Sequence, residues 1–218
     1  MGRLFLIDAA GALALVGIWY FSLARYNRRR GTKALRWVEA ACANRGQIVD
    51  ARWRGASRLQ AHLRFATHWF ENVRVTIRLL PRPLPIPWLL SVWHKQRETL
   101  TFEADLECAP GIRLEVLRHR WLTHSDDKVV RKARNWTVVT PGPVVLTSST
   151  QWTREVPPPV INALMTSRGH SLMSVRFRPE SPHLAATIDL EALSNQQAAA
   201  GFLGVLRDLA AGASTSRQ

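Results

Sequence analysis

The chain has 218 residues, 46% of them hydrophobic, enough for one domain of ordinary size with its own core, so disorder is not the default reading. Thirty Lys and Arg face sixteen Asp and Glu, a formal charge of +14, and since Arg3 and Asp8 cancel, the whole excess falls after Ala24. That excess points to a polyanionic neighbour, a membrane surface or a nucleic acid. Only four of the bases are lysines, a skew that genome composition alone can produce, but the shortage of acids is left unexplained by it. The two cysteines, Cys42 and Cys108, form no CxxC and exclude a disulfide framework. Both read as buried small hydrophobes of a reducing compartment.

Leu4 to Ala24 reads LFLIDAAGALALVGIWYFSLA, with a single charge. At ~1.5 Å per residue it reaches roughly 30 Å, the thickness of a bilayer core, and predicts one membrane-spanning helix. Trp19, Tyr20 and Tyr26 fall where an aromatic belt would lie. Arg25, Arg28, Arg29, Arg30 and Lys33 crowd the C-terminal side, so the positive-inside rule places the short N-terminus outside and the remainder in the cytoplasm of a bacterial inner membrane. A cleaved signal peptide ending at Ser22–Ala24 is the rival. Its n-region is weak, its apolar run is long, and dense arginine follows it. Ala10, Ala14 and Gly17 share one helical face that would admit a close neighbour helix. Asp8 is costly inside a bilayer unless it is paired or near the interface. These four are candidate partner contacts.

The division that follows is an anchor and basic juxtamembrane segment at 1–31, a cytoplasmic α+β domain at 32–211, and a flexible tail at 212–218. Thr32 to Asn44 predicts a short separate helix, with Thr32 as N-cap and Gly46 just past its end. Gln47–Trp53, Leu59–Phe65, Val73–Leu79, Thr99–Cys108 and Ile112–Arg118 alternate as strands of a mainly antiparallel sheet with one wet face. Arg74 and Arg78 on one strand would face Thr101, Glu103, Asp105 and Glu107 on its neighbour, a solvated face of paired charges rather than a catalytic row. The polar stretch 123–134 reads as a loop. Trp136–Val139 and Val144–Thr147 are short strands around Pro141-Gly142-Pro143. Pro157–Thr166 predicts a short helix with proline in its first turn. Leu172–Arg178 and Leu184–Leu190 form a last strand pair, and Gln196–Ala211 a C-terminal helix. The fold class is α+β.

One stretch breaks the pattern. Leu79 to Arg97, LLPRPLPIPWLLSVWHKQR, joins two strands but is apolar and proline-rich instead of a polar turn. Trp88, Leu89, Leu90 and Trp93 form its apolar tip, with Arg78 and Arg82 before it and Lys95 and Arg97 after it as a basic collar. Three readings stand: the loop dips into the bilayer beside the anchor, docks on another membrane subunit, or folds back as a lid on its own core.

No catalytic, cofactor or metal motif emerges. The seven histidines form no HxH, HExxH or His/Cys cluster. There is no GxSxG, P-loop or GxGxxG, and the hydroxyls of LTSSTQWT have no local base. The tryptophans are spread evenly, without RNP, KH or helix-turn-helix patterns, so nucleic-acid binding is not favoured. The leading expectation is a non-enzymatic single-pass protein without cofactors. It would be an accessory or assembly subunit of an inner-membrane complex, energy-converting complexes included, with its basic domain against anionic lipid. The alternatives are a membrane-anchored enzyme of unrecognised type and an anchored nucleic-acid-binding protein.

Overall fold

The computed structural model of the chain describes residues 2–42, 46–66, 69–110, 114–118, 136–139, 144–149, 160, 164 and 172–214. Helix α1 (Gly2–Cys42) leads into strands β1 (Gly46–Trp53), β2 (Arg58–Phe65) and β3 (Glu71–Arg78). Helix α2 (Pro85–Trp93) precedes β4 (Thr99–Asp105), β5 (Leu114–Arg118), β6 (Trp136–Val139), β7 (Val144–Ser149), β8 (Leu172–Phe177) and β9 (Leu184–Asp189). Helix α3 (Gln196–Ser214) closes the order, its first turn capped by the Asn195 side-chain Oδ1 accepting from the Ala198 N–H at 2.8 Å.

All pairings are antiparallel, in the order β1-β2-β3-β4-β9-β8-β5-β7-β6. The alternation seen in the sequence sets the buried face. Leu59, Ala61, Leu63, Val73, Val75, Ile77, Leu100, Phe102, Ala104 and their counterparts on β8 and β9 point into one core. Among the described elements, two helices cover that face. The C-terminal half of α1 contributes Ala34, Leu35, Val38 and Cys42, and α3 contributes Ala199, Phe202, Val205, Leu206 and Leu209. The result is a helix layer on an antiparallel sheet, an α+β fold.

Several expectations are corrected. The helix predicted to begin at Thr32 is part of α1, which runs unbroken for 41 residues. Thr32 is therefore mid-helix, Gly46 opens β1 instead of ending a helix, and the boundary expected at 31/32 falls inside α1. Arg, Ala, Leu and Lys between residues 24 and 36 favour helix, and no proline interrupts them. Residues 212–214, expected in a flexible tail, belong to α3, which continues to Ser214 with Ala213 buried. Cys42 is buried but Cys108 is exposed. Arg74 does stand in register with Glu103, yet among the described residues no ion pair joins them. Arg78 is in register with both Arg58 and Thr99. The stretch 123–134 and most of 157–166 lie outside the described residues, although Val160 and Leu164 join the core.

Candidate functional site

Where α1 meets the sheet, polar side chains gather in an otherwise apolar junction. Asn27 is completely buried. Its side-chain amide donates to the carbonyls of Ala56 at 3.1 Å and Leu80 at 2.9 Å, ending two loops on the helix. Its own carbonyl oxygen accepts from Arg82 Nη1 at 3.1 Å. Glu98 is buried beside it. One carboxylate oxygen accepts from the Arg82 guanidinium and from the Leu80 N–H at 3.2 Å. The other lies 2.7 Å from Arg30 Nε, an ion pair rather than an aligned hydrogen bond. Tyr26 completes the group. Its hydroxyl accepts from Arg30 at 3.2 Å, and Arg82 lies over its ring at 5.1 Å.

One buried carboxylate thus serves two arginines, with every element at this end tied to it. Burial of a charge costs several kcal/mol, on the order of that recovered by its partners, so the cluster's role is positional more than stabilising. Leu190 N–H, after β9, also donates to the Glu98 backbone carbonyl at 2.9 Å. The cluster holds α1 in one orientation on the sheet.

The excursion from Leu80 to Gln96 leaves this base and returns to it. Pro85 and Pro87 fall in the first turn of α2, where N–H groups have no intrahelical acceptor, so the proline-rich run starts a helix instead of preventing one. Ser91 turns inward and donates to the Pro87 carbonyl at 2.8 Å. The helix ends at His94. Lys95 N–H then bonds Val92 O, and Gln96 N–H bonds Ser91 O. That is a Schellman pattern with Lys95 at φ 49°, where glycine is usual.

α2 leaves its apolar side chains uncovered. Ser91 is its only buried residue, while Ile86 is 73%, Leu89 66% and Trp93 79% exposed. Folding back as a lid on the core does not describe it. Instead α2 lies beside the apolar half of α1, with the Trp19 and Trp88 ring centroids 6.0 Å apart. Asn27 meets Leu80 and Trp19 meets Trp88, so the excursion descends along α1 by eight residues, about 12 Å at helical rise.

The bases expected after the anchor and around the apolar tip divide into two sets. Arg30 and Arg82 turn inward to Glu98, and Arg97 pairs with Asp189 at 2.7 Å. Arg25, Arg28, Arg29 and Lys95 remain exposed. Exposed Arg78 of the expected collar stands at the sheet end next to Asn27, which adds exposed Arg54 and Arg58, two bases the sequence reading did not group with it. Asp8, Ala10 and Ala14 are exposed. Ala10, Ala14 and Gly17 lie about 140–180° around the helix from Trp19, whereas Asp8 lies roughly 20° from it. The two partner hints thus point in opposite directions. A side chain at Gly17 would meet open space.

Asn27 and Glu98 escaped the sequence reading because their partners are distant in the chain. Among the described residues no three His, Cys, Asp or Glu side chains converge as a metal site. No protein-family model matches the chain, and no curated protein matches it in sequence. α1 is long and apolar enough to cross a membrane, and among the described residues none of its apolar window is buried.

Proposed function

We propose that the chain is a non-enzymatic, single-pass accessory or assembly subunit of an inner-membrane complex, with its N-terminus outside and its basic domain on the cytoplasmic face. The observation that carries this reading is the rigid mount. α1 passes without a break from an uncovered apolar stretch into the domain core, and Asn27, Arg30, Arg82 and Glu98 lock it there. A subunit that must present fixed surfaces to larger partners needs its domain held at a set angle to the bilayer, and such a mount supplies it. The basic residues beside the anchor support the cytoplasmic orientation.

Gentle solubilisation of native membranes, followed by native electrophoresis and mass spectrometry, tests the subunit role. Co-migration with other membrane proteins is expected, and migration as a lone small species counts against it. Exposed Cys108 reports the orientation. A membrane-impermeant maleimide should reach it in inverted vesicles and not in spheroplasts.

A further inference from the structure

We infer that α2 is a second membrane contact, a short interfacial helix that enters the lipid leaflet beside α1 while the bases at the same end bind anionic headgroups. The inference rests on the anchored reading above and adds to it a lipid-binding surface.

Depth is the first argument. Trp19 lies five residues before Ala24, where the apolar run ends, or about 8 Å along the helix. Arg25, Arg28 and Arg29 follow that end and belong at headgroup level. Trp88 packs on Trp19, so α2 sits roughly 8 Å inside the headgroup layer once α1 spans the bilayer. Helices that lie in the interface bury their apolar face to about 5–10 Å, the same depth.

Composition is the second. Pro85–Trp93 carries no charge, and Ile86, Leu89, Leu90, Val92 and Trp93 are all exposed. No part of the described chain covers them. At that depth lipid acyl chains and headgroup boundaries, not bulk water, surround such a surface, so lipid is the solvent it fits.

Charge is the third. Arg25, Arg28, Arg54, Arg58, Arg78 and Lys95 are exposed at this end, and among the described residues none is paired with an acid. Among the described residues its acids are Glu98, buried and doubly paired, Asp189, paired with Arg97, and exposed Glu191. At the other end of the sheet Glu71, Glu103 and Asp105 sit among the bases. Arg58 and Arg78 directly oppose each other in register, an arrangement that costs stability unless an anion lies between them. Phosphate-bearing anionic lipid relieves that repulsion.

The test uses the full-length chain in vesicles of phosphatidylcholine with or without phosphatidylglycerol. Single cysteines carrying an environment-sensitive fluorophore replace Leu13, Leu89 or Val49, in a background with Cys42→Ala and Cys108→Ser. Val49, exposed on β1, is the water control. Doxyl-labelled lipids should quench Leu13→Cys deeply and Leu89→Cys at shallow positions, leaving Val49→Cys unquenched. Leu89 quenching should be stronger with phosphatidylglycerol, and Arg54→Glu with Arg58→Glu and Arg78→Glu should abolish that difference. Quenching at Leu13 without quenching at Leu89 overturns the inference and leaves the anchor standing. Failure at Leu13 overturns the anchor itself. A photo-crosslinker at Leu89 that captures a protein instead of lipid in native membranes also overturns the inference.

Discussion

Gly31 of α1 faces Trp53 of β1 so closely that a Cβ on residue 31 would lie 2.7 Å from the ring's Cη2, with Leu79 Cδ1 at 3.5 Å. This explains a glycine in the middle of a long helix, where it costs about 1 kcal/mol against alanine. Trp53 packs partly buried against the core and cannot retreat freely. Gly31→Ala is therefore expected to lose about 1 kcal/mol net, because over-packing at ~1–3 kcal/mol outweighs the propensity gain. The same change in a Trp53→Leu background should be neutral or stabilising. Thermal unfolding of the four variants in detergent checks the cycle, and an equal loss in both backgrounds would show that the contact is not the reason for the glycine.

Glu98 predicts a ranked series. Glu98→Gln leaves two arginines facing a neutral group in a buried junction and should cost about 3 kcal/mol. Arg82→Met should cost less, since Glu98 keeps Arg30 and the Leu80 N–H. Arg30→Met should cost least, because Arg30 is the more exposed partner and solvent already screens its charge. Chemical denaturation midpoints measure the order. If Arg30→Met were the most damaging of the three, the junction would depend on the helix side of the cluster and not on the carboxylate.

The sheet and the terminal helices were legible in the sequence because local periodicity reports them. Val73, Val75 and Ile77 alternate, and Phe202, Val205, Leu206 and Leu209 recur at helical spacing. What escaped depends on contacts between distant residues. Thr32 reads as the start of a separate helix, and only the approach of Trp53 shows why one unbroken helix carries Gly31. The prolines of 81–87 read as loop, but Pro85 and Pro87 occupy a helix's first turn. Nothing in the alternation of β4 indicates that β9, rather than β5, lies beside it. Asn27 gave no signal in a row of bases, and Glu98 none at the foot of a strand, since their roles exist only where α1, the 79–84 loop and β4 meet.

Asp105 gives a pH dependence. Burial alone would push its carboxyl up, but hydrogen bonds from Ser181 at 2.6 Å and Asn72 at 3.0 Å, with His183 nearby, outweigh this and hold it below the usual carboxylate range. Asn72, at φ 47° in the β3 irregularity, is placed for that bond by a left-handed turn that asparagine tolerates. A carboxyl held low in the folded state contributes stability above its unfolded pKa of about 4, and that contribution is lost as pH falls through the folded value. Stability should therefore decline below about pH 4 more steeply in the wild type than in Asp105→Asn. Unfolding midpoints from pH 7 to 2.5 measure it, and parallel curves would refute the coupling.

The two cysteines predict opposite chemistry. Cys108 is exposed, so it should react with a maleimide at pH 8 as an ordinary surface thiol does. Cys42 is packed in the interface of α1 with the core, and burial pushes its thiol up to about 11. At pH 8 only about one Cys42 in a thousand is the reactive thiolate, and it is sterically covered as well. The detergent-solubilised chain should take up one label when folded and two in denaturant. Keeping Cys42 neutral stabilises the fold below the ordinary thiol pKa of about 9, and that contribution disappears as pH rises toward 11. Wild type should thus lose more stability than Cys42→Ala between pH 8.5 and about 11. Rapid double labelling of the folded chain would mean that the α1–sheet interface opens, and the rigid mount inferred from Asn27 and Glu98 would fall with it.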